Sequence, residues 1–210
     1  MSKILLNMPA EQYRSAEGIA GSDIKKIVPP NTPLHYLAHI KGVVPRKETR
    51  ALVFGTLAHV AILEPAKLET SYALKPEGKE GDMRTKEGKE WRARMGDTPI
   101  LDQAEADALC GMRDAVLAHP VARTILDGLD SEVSLFAEHP ATGLPIKGRL
   151  DAIGHGIIAD VKTTEDASPA NFAASAARFL YDVSAAHYLA LAELCGLPVE
   201  KFYWVAVEKT

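Results

Sequence analysis

The stretch GRLDAIGHGIIADVK, residues 148–162, holds two short apolar runs on either side of Gly154-His155-Gly156 and reads as two β-strands joined by a tight turn. Side chains two apart in a strand share a face, so Asp160 and Lys162 project together while Ala159 and Val161 point the other way. Hairpin pairing across the turn is expected to bring Asp151 alongside. Asp160-Val161-Lys162 alone reads as an ordinary strand end, and Asp151 alone as a turn cap. At hairpin distance they read as a site: two carboxylates and one ammonium at one end of a largely apolar sheet.

Upstream, Glu132 to Glu138 is a third strand candidate, joined through Ala141-Thr142-Gly143 to a strand over 145–153, so residues 132–162 form an antiparallel meander. Downstream come helices over 168–178 and 181–195, then a β-rich run from Phe202 to Val207. The N-terminal half has a helical texture. Two short helices lie between Ser22 and Gly42, broken at Pro29-Pro30, the second opened by Thr32-Pro33. A longer helix over 48–64, apolar at Leu52, Val53, Leu57, Val60, Ala61 and Leu63, is expected to be buried. Asp102 with Glu105 three residues on forms a capping box that opens a helix running to Pro120, and a short helix covers 121–126. Residues 70–74 read as a strand. The charged segment 76–97 shows little hydrophobic periodicity and reads as a mobile or partner-ordered loop.

These elements predict an α/β chain in which a mixed sheet with an antiparallel meander is flanked by helices. Its 210 residues suit one domain, with a helical part over about 1–128 and a catalytic sheet part over about 129–210. A core-like strand so close to the last residue leaves C-terminal truncation open. Net charge is −4, from 24 Lys and Arg against 28 Asp and Glu, so bulk electrostatics do not advertise a phosphate-binding surface. Any nucleic-acid path has to come from local clustering, which Lys75, Lys79, Arg84, Lys86, Lys89, Arg92 and Arg94 supply among interleaved acids. Cys110 and Cys195 lack zinc-site spacing and read as reduced core thiols. No signal-peptide core or membrane-length apolar run is present, so a cytoplasmic protein with no membrane partner is expected.

Two carboxylates and a lysine suit phosphodiester hydrolysis. Carboxylate oxygens favour hard cations, which polarise a phosphate and lower the pKa of bound water. A neighbouring lysine can orient or deprotonate that water and offset charge in the transition state. No P-loop appears, so ATP-driven translocation is not expected.

The chain resembles the RecE-type exonucleases, a branch of the PD-(D/E)xK nucleases related to phage recombination exonucleases. The resemblance spans nearly the whole chain, through FGTLAHVAILEP (54–65), MRTKEGKEW (83–91), GRLDAI (148–153), IIADVKTT (157–164) and YDVSAAHYLA (181–190). It implies a restriction-endonuclease-like core and a magnesium ion, replaceable by manganese, held by His59, Asp151 and Asp160, with Val161 among the metal-binding positions. Without the resemblance, His59 reads as a core histidine. Lys162 takes the catalytic lysine's place, and Glu132 matches a family acid that binds metal directly or through water, although a solvated strand-edge glutamate reads as well. Tyr188 fits a family tyrosine one turn after a glutamine, but Ser184 stands at the glutamine's position. Lys79, Arg84 and Lys86 fall where DNA contacts are expected. The resemblance further implies ATP-independent degradation of double-stranded DNA from its ends, 5′ to 3′, a homo-oligomeric ring, and a single-strand annealing protein as partner. An endonuclease on the same core, and a non-catalytic DNA-binding relative, remain the alternatives.

Overall fold

The computed structural model describes residues 2–29, 31–43 and 49–209. The chain runs through β1 (Lys3–Leu5), α1 (Ala10–Ser15), α2 (Gly21–Ile24), α3 (Pro33–Ile40), α4 (Arg50–Leu63), α5 (Leu68–Ser71), β2 (Ala73–Leu74), α6 (Lys86–Met95) and β3 (Ile100–Leu101). It continues through α7 (Gln103–Ala118), α8 (Pro120–Leu126), β4 (Asp130–Glu138), β5 (Pro145–Gly154), β6 (Ile157–Thr164), α9 (Pro169–Arg178), α10 (Tyr181–Leu194) and β7 (Lys201–Glu208).

The expected meander forms the middle of a five-stranded sheet of order β1-β4-β5-β6-β7, antiparallel except for the β6–β7 pair. The strand alternation that the sequence shows sorts its two faces. Val161, Val205 and Val207 pack with Leu57, Ala58, Ala61 and Ile62 of α4 and Leu109 and Met112 of α7. Ile158, Val133, Leu135 and Leu150 pack on the other face with Leu191 and Ala192 of α10. Asp160 and Lys162 are even-numbered neighbours of Ile158 on the same strand and so project toward α10.

Local chemistry explains the helix starts. The Thr49 hydroxyl accepts from the Leu52 N–H to open α4, and Asp102 and Glu105 form the expected reciprocal box at α7. Pro30 and Glu48, the second residue of the expected break and the first of the expected long helix, lie outside the described residues.

Two expectations are corrected. Residues 70–74 are not one strand: α5 occupies Leu68–Ser71, with the Thr70 and Ser71 hydroxyls bonded back to the Lys67 carbonyl, and only Ala73–Leu74 is extended, pairing parallel with β3. The 76–97 segment is not a loop throughout, because Thr85 caps Gly88 N–H and Trp91 buries its indole, anchoring the ten-residue α6 by a single aromatic. Periodicity fails to reveal a helix held by one side chain. β1, at Lys3–Leu5, pairs antiparallel with β4 and extends the sheet beyond the meander.

Candidate active site

The site lies where β5 and β6 part. Their ladder runs from Gly154↔Ile157 to Ala152↔Ala159 and stops; one residue further, the Asp151 carboxylate accepts from the Val161 N–H at 2.8 Å. A side chain thus replaces the backbone partner that pairing would have supplied. Leu150 and Ile153 pack in the same apolar cluster although three residues apart, so strict alternation breaks at this point. On β4, Glu132 stands opposite the break, at φ 55°, and is the single residue of Asp130–Glu138 without a ladder partner on β5. A non-glycine residue in the left-handed region carries a backbone cost. The distortion turns Glu132 toward Asp151.

From the α4 side His59 places Nδ1 3.4 Å from Asp151 Oδ2. His59, Glu132 and Asp151 each offer a donor atom within 4.8 Å of the others, the spacing at which one ion can be shared. From the α10 side come two tyrosines. The Tyr188 ring lies where a Cβ on Gly148 would stand 3.1 Å from it, and the Tyr181 ring sits 5.3 Å below the Lys162 ammonium.

Asp160 is 3% exposed, and its Oδ2 lies against the Lys162 ammonium without the alignment of a hydrogen bond. Lys162 also donates to the Val161 carbonyl at 3.3 Å, so the backbone group expected at the metal faces the lysine here. Asp160 is outside the His59, Glu132 and Asp151 group. Of the expected ligands, the structure therefore gathers three closely, with Asp160 and Val161 forming an adjoining wall around Lys162.

Charge sorts the two aspartates. Burial would raise both. At Asp151 the His59 ring, the Lys162 ammonium and the Val161 N–H outweigh burial and hold the carboxyl at about 2. At Asp160 burial and repulsion from Asp151 prevail over Lys162, and the carboxyl rises to about 6. Burial disfavours the charged form of Lys162, yet Asp151 and Asp160 overcome it and hold the ammonium protonated above its usual range. His59 is likewise raised: burial opposes its charge, and Asp151 outweighs burial. Burial, then the two aspartates, push the Tyr188 phenol well up, so it stays protonated and can donate.

Ser184 lies one turn before Tyr188 on α10 and is half-buried. Lys79, Arg84 and Lys86 are exposed and away from this cluster in sequence and packing, with Arg84 bonded to Asp82 and Lys86 3.8 Å from Glu90. His187 lies next to Tyr188 on α10. It is buried and meets the Lys147 carbonyl at 2.9 Å.

Three neighbours escaped sequence reasoning. Tyr181 could have been found, since it lies seven residues before Tyr188 and so two turns away on the same helix face. Arg149 pairs with Glu132 and donates to the Met8 carbonyl at 2.7 Å, bringing the N-terminal segment to the flank of the site. Lys25, the residue that ends α2, stands 5.5 Å over the Tyr181 ring, and nothing local in the sequence signals it.

The donor set fits a hard divalent cation. Two carboxylates and an imidazole converge, a third carboxylate stands beside them with its buried Oδ2 against Lys162 but without an aligned hydrogen bond, and the repulsion that raises Asp160 is what a cation would relieve. No curated protein matches the sequence. Residues 21–210 match a family model described as a PDDEXK-like domain of unknown function (DUF3799). With that match over most of its length, and a mixed sheet flanked by helices as in restriction-endonuclease-like cores, the chain belongs to this PDDEXK-like family.

Proposed function

We propose that the protein is a metal-dependent nuclease that hydrolyses phosphodiester bonds of double-stranded DNA from its ends, with magnesium as the cofactor and manganese able to replace it. The observation that carries this reading is the meeting of His59, Glu132 and Asp151 within 4.8 Å beside the buried Asp160–Lys162 pair. Magnesium bound by His59, Asp151, Glu132 and Asp160 would polarise the scissile phosphate and make coordinated water acidic enough to supply hydroxide.

The chain's own residues do the rest. Lys162, kept cationic by two carboxylates, donates to the attacking water or to a phosphate oxygen and offsets transition-state charge; as a held ammonium it is a poor base. Tyr188 donates its phenol proton to a phosphate oxygen, with Ser184 one turn away supplying a weaker donor where glutamine is usual. Lys79, Arg84 and Lys86 contact the DNA backbone further out. The five motif stretches support the RecE-type branch, and with it 5′-to-3′ digestion that leaves 3′ single strands for an annealing partner, in a ring of identical subunits in the cytoplasm.

End-labelled linear duplex and closed circular duplex, each digested with magnesium, test this reading. Nucleotides are released from linear ends, closed circles persist, and Lys162→Ala lowers the rate by about 100-fold or more. Circles cut as fast as linear ends would remove the exonuclease assignment, and no magnesium-dependent release by the parent protein would remove the enzyme.

A further inference from the structure

Folding the charged segment as α6 has a consequence for its cations. Lys89 and Arg92, three apart, share a helix face beside the buried Gly88 and Trp91, and that face meets the start of α4 and the β2–β3 ribbon. Between them runs a groove of about 510 Å³. It is lined by Arg50, Lys75, Lys89 and Arg92, by Met83 and Ile100, and by Asp102, the one acid lining it among the described residues. In a chain of net charge −4, four cations around one groove stand apart from the bulk balance.

The cations divide by constraint. Arg50 is fixed by two bonds to Glu105, and Arg92 donates to the Gly96 carbonyl at 2.6 Å. The Lys75 and Lys89 ammoniums have no hydrogen bond or ion pair among the described residues, and both side chains are exposed. Fixed guanidiniums with two unpaired ammoniums and a partly apolar lining suit a phosphodiester backbone, whose phosphates would meet the cations and whose sugars would meet Met83 and Ile100.

The groove and the site share one helix. Arg50 and His59 lie on α4 nine residues apart, about 14 Å along the helix axis and about two and a half turns round it, so the groove and His59 flank different sides of the helix. We infer that this groove is a second DNA-backbone site, binding phosphates other than the one cleaved; the inference rests on the nuclease reading above.

The test is the salt dependence of binding to a labelled 20-base-pair duplex, read by fluorescence anisotropy with calcium in place of magnesium, alongside magnesium-dependent cleavage. Lys75→Gln with Lys89→Gln makes the slope of log affinity against log salt shallower by about 2, one unit per lost phosphate contact. Lys3→Gln with Lys201→Gln, exposed positions on β1 and β7, keeps the parent slope. A slope unchanged in the groove variant while the parent binds and cuts overturns the groove and leaves the nuclease. Equal flattening in both double variants also overturns it, as diffuse charge. A parent that neither binds nor cuts overturns both readings.

Discussion

Asp160 and Asp151 are the same residue type on adjacent strands, and their environments drive them in opposite directions. Asp151 has a histidine and a backbone N–H; Asp160 has burial and a like charge, and its Oδ2 lacks an aligned donor. The sign follows from linkage. A carboxyl raised to about 6 in the folded chain, against about 4 unfolded, takes up a proton on folding. The stability from that uptake is present in full below about pH 4 and is lost as pH rises through about 6. In metal-free protein, Asp160→Asn, which carries no charge, should therefore match the parent at pH 4 and exceed it at pH 8 by about 3 kcal/mol. Urea unfolding in a chelator at both pH values checks this. A variant less stable than the parent at pH 8 would mean that Asp160 is held by Lys162 more strongly than it is repelled by Asp151.

At the scale of elements, α10 reaches the site only because β5 makes room for it. A Cβ on Gly148 would lie 2.8 Å from Leu191 Cδ2 and 3.1 Å from the Tyr188 ring, so this strand glycine sets how closely helix and sheet approach. Replacing glycine by alanine in a strand usually stabilises through the unfolded state. Gly148→Ala should do the reverse, costing about 1–3 kcal/mol as Leu191 and Tyr188 are pushed back. A higher urea midpoint for the variant would show that α10 can shift freely. The helices and strands around this contact were legible, because period-two alternation in residues 132–162 and the capping box at Asp102 are local signals. The trio Asp151, Asp160 and Lys162 was legible for the same reason: all three lie within one hairpin. What the sequence hid depends on tertiary packing. Trp91 is the buried side chain that fastens α6, Lys25 reaches Tyr181 from the end of α2, and the break at Glu132 and Asp151 shows only in the register.

For the whole molecule, the same dispersal makes cation binding a property of the folded chain. His59 comes from α4, Glu132 from β4 and Asp151 from β5, so the unfolded chain does not hold these donors within 4.8 Å of one another. A cation that binds only the folded state stabilises it by about 2.7 kcal/mol at a hundred times its Kd. For a chain of this size that is a rise of about 5–10 °C in Tm. Divalent ions also screen any acidic protein, and this one has net charge −4, so the rise alone decides nothing. The variants separate the two causes. Asp151→Asn removes a donor charge at the centre of the cluster and should abolish most of the magnesium-induced rise at pH 8, where Asp160 is ionised. Glu138→Gln, which removes one exposed charge at the far end of β4, should keep it. Calorimetry of the three proteins with and without magnesium gives the comparison. Equal rises in all three would mean that magnesium acts by screening, and the His59, Glu132 and Asp151 cluster would lose its place as the cation site.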